Sequence, residues 1–193
     1  GAGGARVIFG KNPWSWLRET IRSKGVIRPC KIAWQVLMDY LWERRHGTET
    51  LTRISGDALE TSSTNKSRAT CYGATRARPL QRLFEQLALP REATFVDLGA
   101  GKGRVLILAA QYGFARVVGI EFSEALCQVA RRNLEESRRR TPWPGQVVVV
   151  HADVVAYPIQ PDDSIFFLYD PFNADVLAQV VDNLRQSLAA HPR

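Results

Sequence analysis

The chain has 193 residues, 45% hydrophobic and 23% charged: enough apolar material for one packed core, too much for a disordered segment. No apolar run reaches membrane-spanning length. Cys30, Cys71 and Cys127 have neither metal-ligand spacing nor an even count, so no metal, inert thiols and a reduced cytoplasmic setting are expected. The net charge of +7 resides in the first 86 residues, where 15 Lys/Arg outnumber 7 Asp/Glu; this part is the candidate for contact with nucleic acid or an acidic protein surface, though the basic residues are scattered as on an ordinary solvated surface.

Asn12 and Pro13 open a short helix that Gly25 breaks. A second helix is predicted over 29–45, with three adjoining apolar edges: Ile32/Val36/Tyr40, Ala33/Leu37/Leu41 and Trp34/Met38/Trp42. So broad a face asks for two packing partners. Residues 48–60 have no clear period, and 61–70 form a polar loop. Residues 1–70 therefore read as a helical extension and linker, and 71–193 as the main domain. Arg78-Pro79 opens a helix carrying Leu80, Leu83, Phe84 and Leu87, and Pro90 closes it.

Phe95, Val96 and Leu98 make a short strand around Asp97, followed by Gly99, Gly101 and Gly103. These glycines permit a tight turn and a close approach of backbone to ligand. Val105–Ala110 reads as a helix buried against a sheet, stopped by Gly113. The second strand runs from Arg116 to Phe122 with Glu121 at its carboxyl end. An acid about 20 positions beyond a glycine-rich first turn suits the ribose hydroxyls of an adenosine cofactor. Ser123 caps a helix with Leu126, Val129, Ala130 and Leu134 at helical spacing, Cys127 packed among them, and Arg138–Arg140 at its C-terminal end. Gln146–His151 is a third strand, with Asp153 just beyond. Ser164–Tyr169 reads as a fourth, buried strand running into Asp170-Pro171-Phe172. Asn173 then caps a helix with Val176, Val180, Leu184 and Leu188 on one stripe. Strands alternating with helices, with acids at strand ends, define an α/β doubly wound, mostly parallel sheet.

A dinucleotide fingerprint needs its last glycine one position later than Gly103, where Arg104 stands, and Asp97 would repel a pyrophosphate. An acid before the turn suits a cationic cofactor. Taken in order, the Asp97–Gly103 turn, Glu121, Asp153 and Asp170-Pro171-Phe172 resemble the class I S-adenosylmethionine-dependent methyltransferases, over about residues 70–190. The order of parts, including Tyr72-x-x-Thr75 before the helix, is also loosely similar to Dot1-like and ATP-synthase-c-subunit lysine methyltransferases.

That resemblance implies S-adenosylmethionine held by Tyr72, Thr75, Asp97, Gly99, Ala100, Gly101, Gly103, Glu121, Phe122, Asp153 and Val154. Within it, Asp97 lies near the amino-acid part, Glu121 holds the ribose and Asp153 meets the adenine amino group. On the residues alone, Asp153 also suits a loop cap, and Tyr72 and Thr75 suit a turn. Asp170, Pro171 and Phe172 are similar to the Asp/Asn-Pro-Pro-Tyr/Phe signature of nitrogen methyltransferases, one proline short, and would be the catalytic group. Asp-Pro is also a common turn opener. The family's sheet continues for three more strands, so either the chain is a fragment, or a second copy, a partner or the N-terminal helices are expected to cover the edge left by the fourth. Methyl transfer to a nitrogen acceptor of unknown identity leads. A noncatalytic cofactor-binding or scaffold module and a nucleotide-dependent oxidoreductase compete with it.

Overall fold

The computed structural model describes residues 27–51, 74–169 and 173–192. The chain divides into two compact units, Gly1–Leu41 and Trp42–Arg193. Helix α1 (Ile27–His46) crosses that division. In the first unit, its Trp34, Val36, Leu37, Tyr40 and Leu41 are exposed, where two packing partners were expected. The larger unit includes residues 42–51, which the sequence reading assigns to the extension.

The apolar runs rich in β-branched residues become β1 (Thr94–Leu98), β2 (Arg116–Glu121), β3 (Gln146–His151) and β4 (Asp163–Phe167). They form one parallel sheet in the order β3-β2-β1-β4. The chain first winds outward through β2 and β3, then crosses back to the other side of β1. Such a reversal opens a crevice at the carboxyl ends of the strands, beside β1.

The remaining helices are α2 (Ala77–Leu87), α3 (Arg104–Tyr112), α4 (Glu124–Arg140) and α5 (Ala174–Ala190). Alternation along the strands divides the core in two. Phe95 and Val117 pack with Leu80 and Phe84 of α2, Val105–Ala110 of α3 and Leu134 of α4. Val96, Leu98, Val118 and Ile120 point the other way, onto Val176 and Val180 of α5. Helices thus cover both faces, as the doubly wound reading requires. Gly119 makes this possible on β2, since a Cβ there would stand 2.5 Å from Leu106 Cδ1 and 2.8 Å from Ala100 Cβ.

Two expectations need correction. The fourth strand ends at Phe167 and is only half-buried along Ile165–Phe167, with Tyr169 65% exposed, because among the described residues β4 pairs on one side alone. On α2 only Leu80 and Phe84 of the apolar set are buried, and Leu83 and Leu87 face solvent. Cys30 is exposed, while Cys127 is the packed thiol, pushed up to about 12 chiefly by burial. The N-terminal helix over 11–24 and the loop over 61–70 lie outside the described residues. Among the described residues no helix is long and apolar enough to cross a membrane, and no cluster of metal-ligating side chains occurs.

Candidate functional site

β1 ends in a turn closed first by its own backbone. The amides of Gly99 and Ala100 both donate to Ile120 O at 2.9 Å, and the Gly103 amide donates to Ala100 O at 2.9 Å. Gly99, Gly101 and Gly103 have φ of 97°, 53° and 82°, the left-handed region that side chains resist. At Gly103 the need is packing as well as conformation. A Cβ there would lie 3.1 Å from Ala130 Cβ and 3.3 Å from its Cα, so this glycine admits α4, where the sequence suggested a ligand.

Glu121 ties the turn to the end of β2. Its Oε2 accepts from the Gly101 amide at 2.8 Å and its Oε1 from the Ser123 amide at 3.0 Å. The carboxyl is 3% exposed. Burial raises its pKa, and the Ser123, Gly101 and Phe122 amides oppose that rise by favouring the charged form. Asp97 is equally buried, and desolvation followed by the neighbouring Glu121 charge raises it to about 8. With no cation beside it this carboxyl holds its proton near neutrality, and a cationic group placed there would favour the charged form.

Of the rest of the candidate set, the residues after β3 lie beside β2 at the strand ends. The Ala152 amide donates to Glu121 O at 3.0 Å, placing the β3 turn beside β2. Asp153 is half-buried and its Oδ1 accepts from the Val155 amide at 3.0 Å, a turn cap. Phe122 and Val154 are half-buried, and Val154 packs against the α5-side core. Ala100 is a core residue, so it would meet a ligand through its backbone. Thr75 is half-buried just ahead of α2. Tyr72, Asp170, Pro171 and Phe172 lie outside the described residues.

Sequence reasoning missed a polar network behind the turn. Arg104, 2% exposed, lies over the Trp42 ring at 4.4 Å and donates from Nη1 to Thr50 Oγ1 at 3.0 Å. Glu43 Oε1 accepts from the Thr50 amide, from the Thr50 hydroxyl at 3.2 Å and from the Leu51 amide at 2.9 Å. Asn133 joins Glu49 to Lys102. The available signal was Asn133 itself, a polar residue on the stripe of Leu126, Ala130 and Leu134.

A parallel sheet with this reversal, a glycine turn after its first strand and acids closing the first two strands define the class I methyltransferase fold. The sequence profile of the family described as "Histone methylation protein DOT1" matches residues 54–152, just over half of the chain. The chain belongs to that family. It is also similar to a trans-aconitate 2-methyltransferase of Variovorax paradoxus, 41% identical over 35% of this chain and 26% of that protein. Human EEF1A lysine methyltransferase 2 is 28% identical over 34% of this chain and 28% of that protein. Among solved structures, an RNA methyltransferase from Salinibacter ruber in complex with S-adenosylhomocysteine is 27% identical at a TM-score of 0.47, over 61% of this chain and 70% of that one. The first three curated relatives, all trans-aconitate methyltransferases, are matched over only 26% to 33% of their length.

Proposed function

We propose that this chain binds S-adenosylmethionine at the glycine turn and transfers its methyl group to a nitrogen of a protein or other macromolecule. The observation that carries this reading is the buried pair at the strand ends, with Glu121 holding the Gly101 amide while Asp97 beside it sits near neutrality at about 8. A cofactor bearing a sulfonium and an ammonium group offsets that buried acidity. A pyrophosphate would add to it. The residues present therefore fit the cofactor, and family membership points the same way.

In this account Asp97 faces the cationic amino-acid end, Glu121 accepts from the ribose diol, and Asp153 receives the adenine amino group. Thr75, Tyr72, Phe122 and Val154 line the remainder, and the backbone of Gly99–Gly103 gives the close approach. When bound, the cofactor supplies an activated methyl on sulfur. The chain's part is to align a neutral acceptor and to exclude water. Asp170 is the proposed hydrogen-bond acceptor for the target N–H, Pro171 sets the backbone, and Phe172 is the platform for the substrate. Residues 71–193 carry this domain, with 1–70 as an extension whose residues 42–51 bond to it. A cytoplasmic location and a second copy or partner on the β4 edge complete the proposal.

The test is transfer of a tritiated methyl group onto cell lysate, separated into protein, nucleic-acid and small-molecule fractions. Label on nitrogen in a macromolecular fraction is expected, and Asp170→Ala should cut the rate by about 100-fold. Label on carbon or oxygen, or full turnover in that variant, contradicts the nitrogen assignment.

A further inference from the structure

Asn133 is 5% exposed on the inner side of α4, between the buried Ala130 and Leu134. A leucine would suit those apolar neighbours. Instead the carboxamide is occupied at both ends: Oδ1 accepts from the Glu49 amide at 3.0 Å, and Nδ2 donates to Lys102 O at 2.9 Å. The two backbone groups are 84 and 31 residues away in the chain.

Each end is part of something already fixed. Lys102 sits between Gly101, whose amide Glu121 holds, and Gly103, whose bare Cα rests on Ala130 one turn before Asn133. Glu49 begins the short strap that Glu43 binds at Thr50 and Leu51 and that Arg104 binds at the Thr50 hydroxyl. Lys102 Nζ also lies 4.0 Å from the Glu49 carboxylate. A buried amide side chain is tolerated when it is hydrogen-bonded, and buried hydrogen bonds fix the geometry of what they join. Here it joins the turn that meets the cofactor to the strap behind it.

We propose that Asn133 is a positioning residue for the cofactor turn: by holding Lys102 O and the Glu49 amide together, it keeps the Gly101–Gly103 peptides preformed for the ligand. This rests on the S-adenosylmethionine reading above. Asn133 touches no ligand. It acts through the turn, so its loss should weaken cofactor binding beyond what lost stability alone explains.

The experiment is calorimetric titration with S-adenosylhomocysteine of the wild type, Asn133→Ala, Asn133→Asp and Leu134→Ala, with amide hydrogen exchange on the wild type with and without that ligand. Asn133→Ala should weaken binding about tenfold, the scale of leaving two buried backbone groups unpaired. Asn133→Asp keeps the acceptor for Glu49 but has no donor for Lys102 O, and should be weakened comparably. Leu134→Ala removes a buried contact on the same helix without touching the turn and should bind as the wild type does. In the wild type, ligand should slow exchange at Glu49 as well as at Gly101. Equal affinity in all three variants overturns the proposal. If the Asn133 variants do not fold, unchanged exchange at Glu49 while Gly101 slows overturns it instead. A wild type that does not bind removes the cofactor reading, and this inference falls with it.

Discussion

The central and the edge strands of this sheet use the same apolar residue types and end in different surroundings. β1 is buried along its whole length and β2 at all but its first residue. β3 and β4 are mostly half-exposed. The polar groups follow the same division. At the ends of β1 and β2, Asp97, Glu121, Lys102 and Arg104 are all nearly fully buried, and Glu121 and Arg104 hold neighbouring segments by bonds of about 3 Å. At the end of β3, Asp153 caps a local turn, and after β4, Tyr169 is exposed. A buried polar group is expensive unless its partners are fixed. The centre of the sheet is therefore where geometry is held in advance, which is what a binding turn requires.

The comparison can be broken most forcefully at Gly103. Gly103→Val imposes a β-branched side chain on a φ of 82° and drives it into Ala130. The combined strain and overpacking amount to about 3–5 kcal/mol, read as a fall in melting temperature of about 10 °C. A melting temperature within about 2 °C of the wild type would show that the central turn is not the rigid region.

Asp97→Asn sharpens the comparison by separating binding from stability. The folded Asp97 has its pKa raised to about 8, so it keeps a proton that the unfolded chain releases above about pH 4. Its contribution is complete at low pH and is lost as pH rises toward 8. The asparagine should remove that decline, raising the melting temperature at pH 8 by roughly 5 °C while cofactor binding weakens. A variant that melts lower at pH 8 and keeps the same pH slope would contradict the buried-acid account.

The edge supplies the smallest effect. Leu188 on α5 is 49% exposed, so Leu188→Ser should change stability by no more than about 0.5 kcal/mol in denaturant unfolding. A loss several times larger would mean that this helix packs as the centre does.

What was legible in the sequence follows the same division. Period and capping are local properties, so all four strands, Ser123 and Asn173 as caps, and the Gly113 stop were readable and are observed. The burial of β4 was misread because Ile165–Leu168 is apolar whichever side is paired, and apolarity does not report what covers a strand. The packing role of Gly103 was hidden because a positive φ, a ligand approach and a close helix all call for the same residue. The Thr50–Arg104 and Glu49–Asn133–Lys102 links carried no signal beyond Asn133 itself, because they join segments tens of residues apart without any period.

If Glu121 and the turn it holds bind S-adenosylmethionine, calorimetry of the wild type and Glu121→Ala with S-adenosylhomocysteine, and with NAD as the competing ligand, will show it. Saturable binding of S-adenosylhomocysteine and none of NAD is expected, with affinity weakened about tenfold to a hundredfold in a folded Glu121→Ala, as follows from losing a charge-assisted acceptor. Equal affinity in that variant, or preference for NAD, would contradict it.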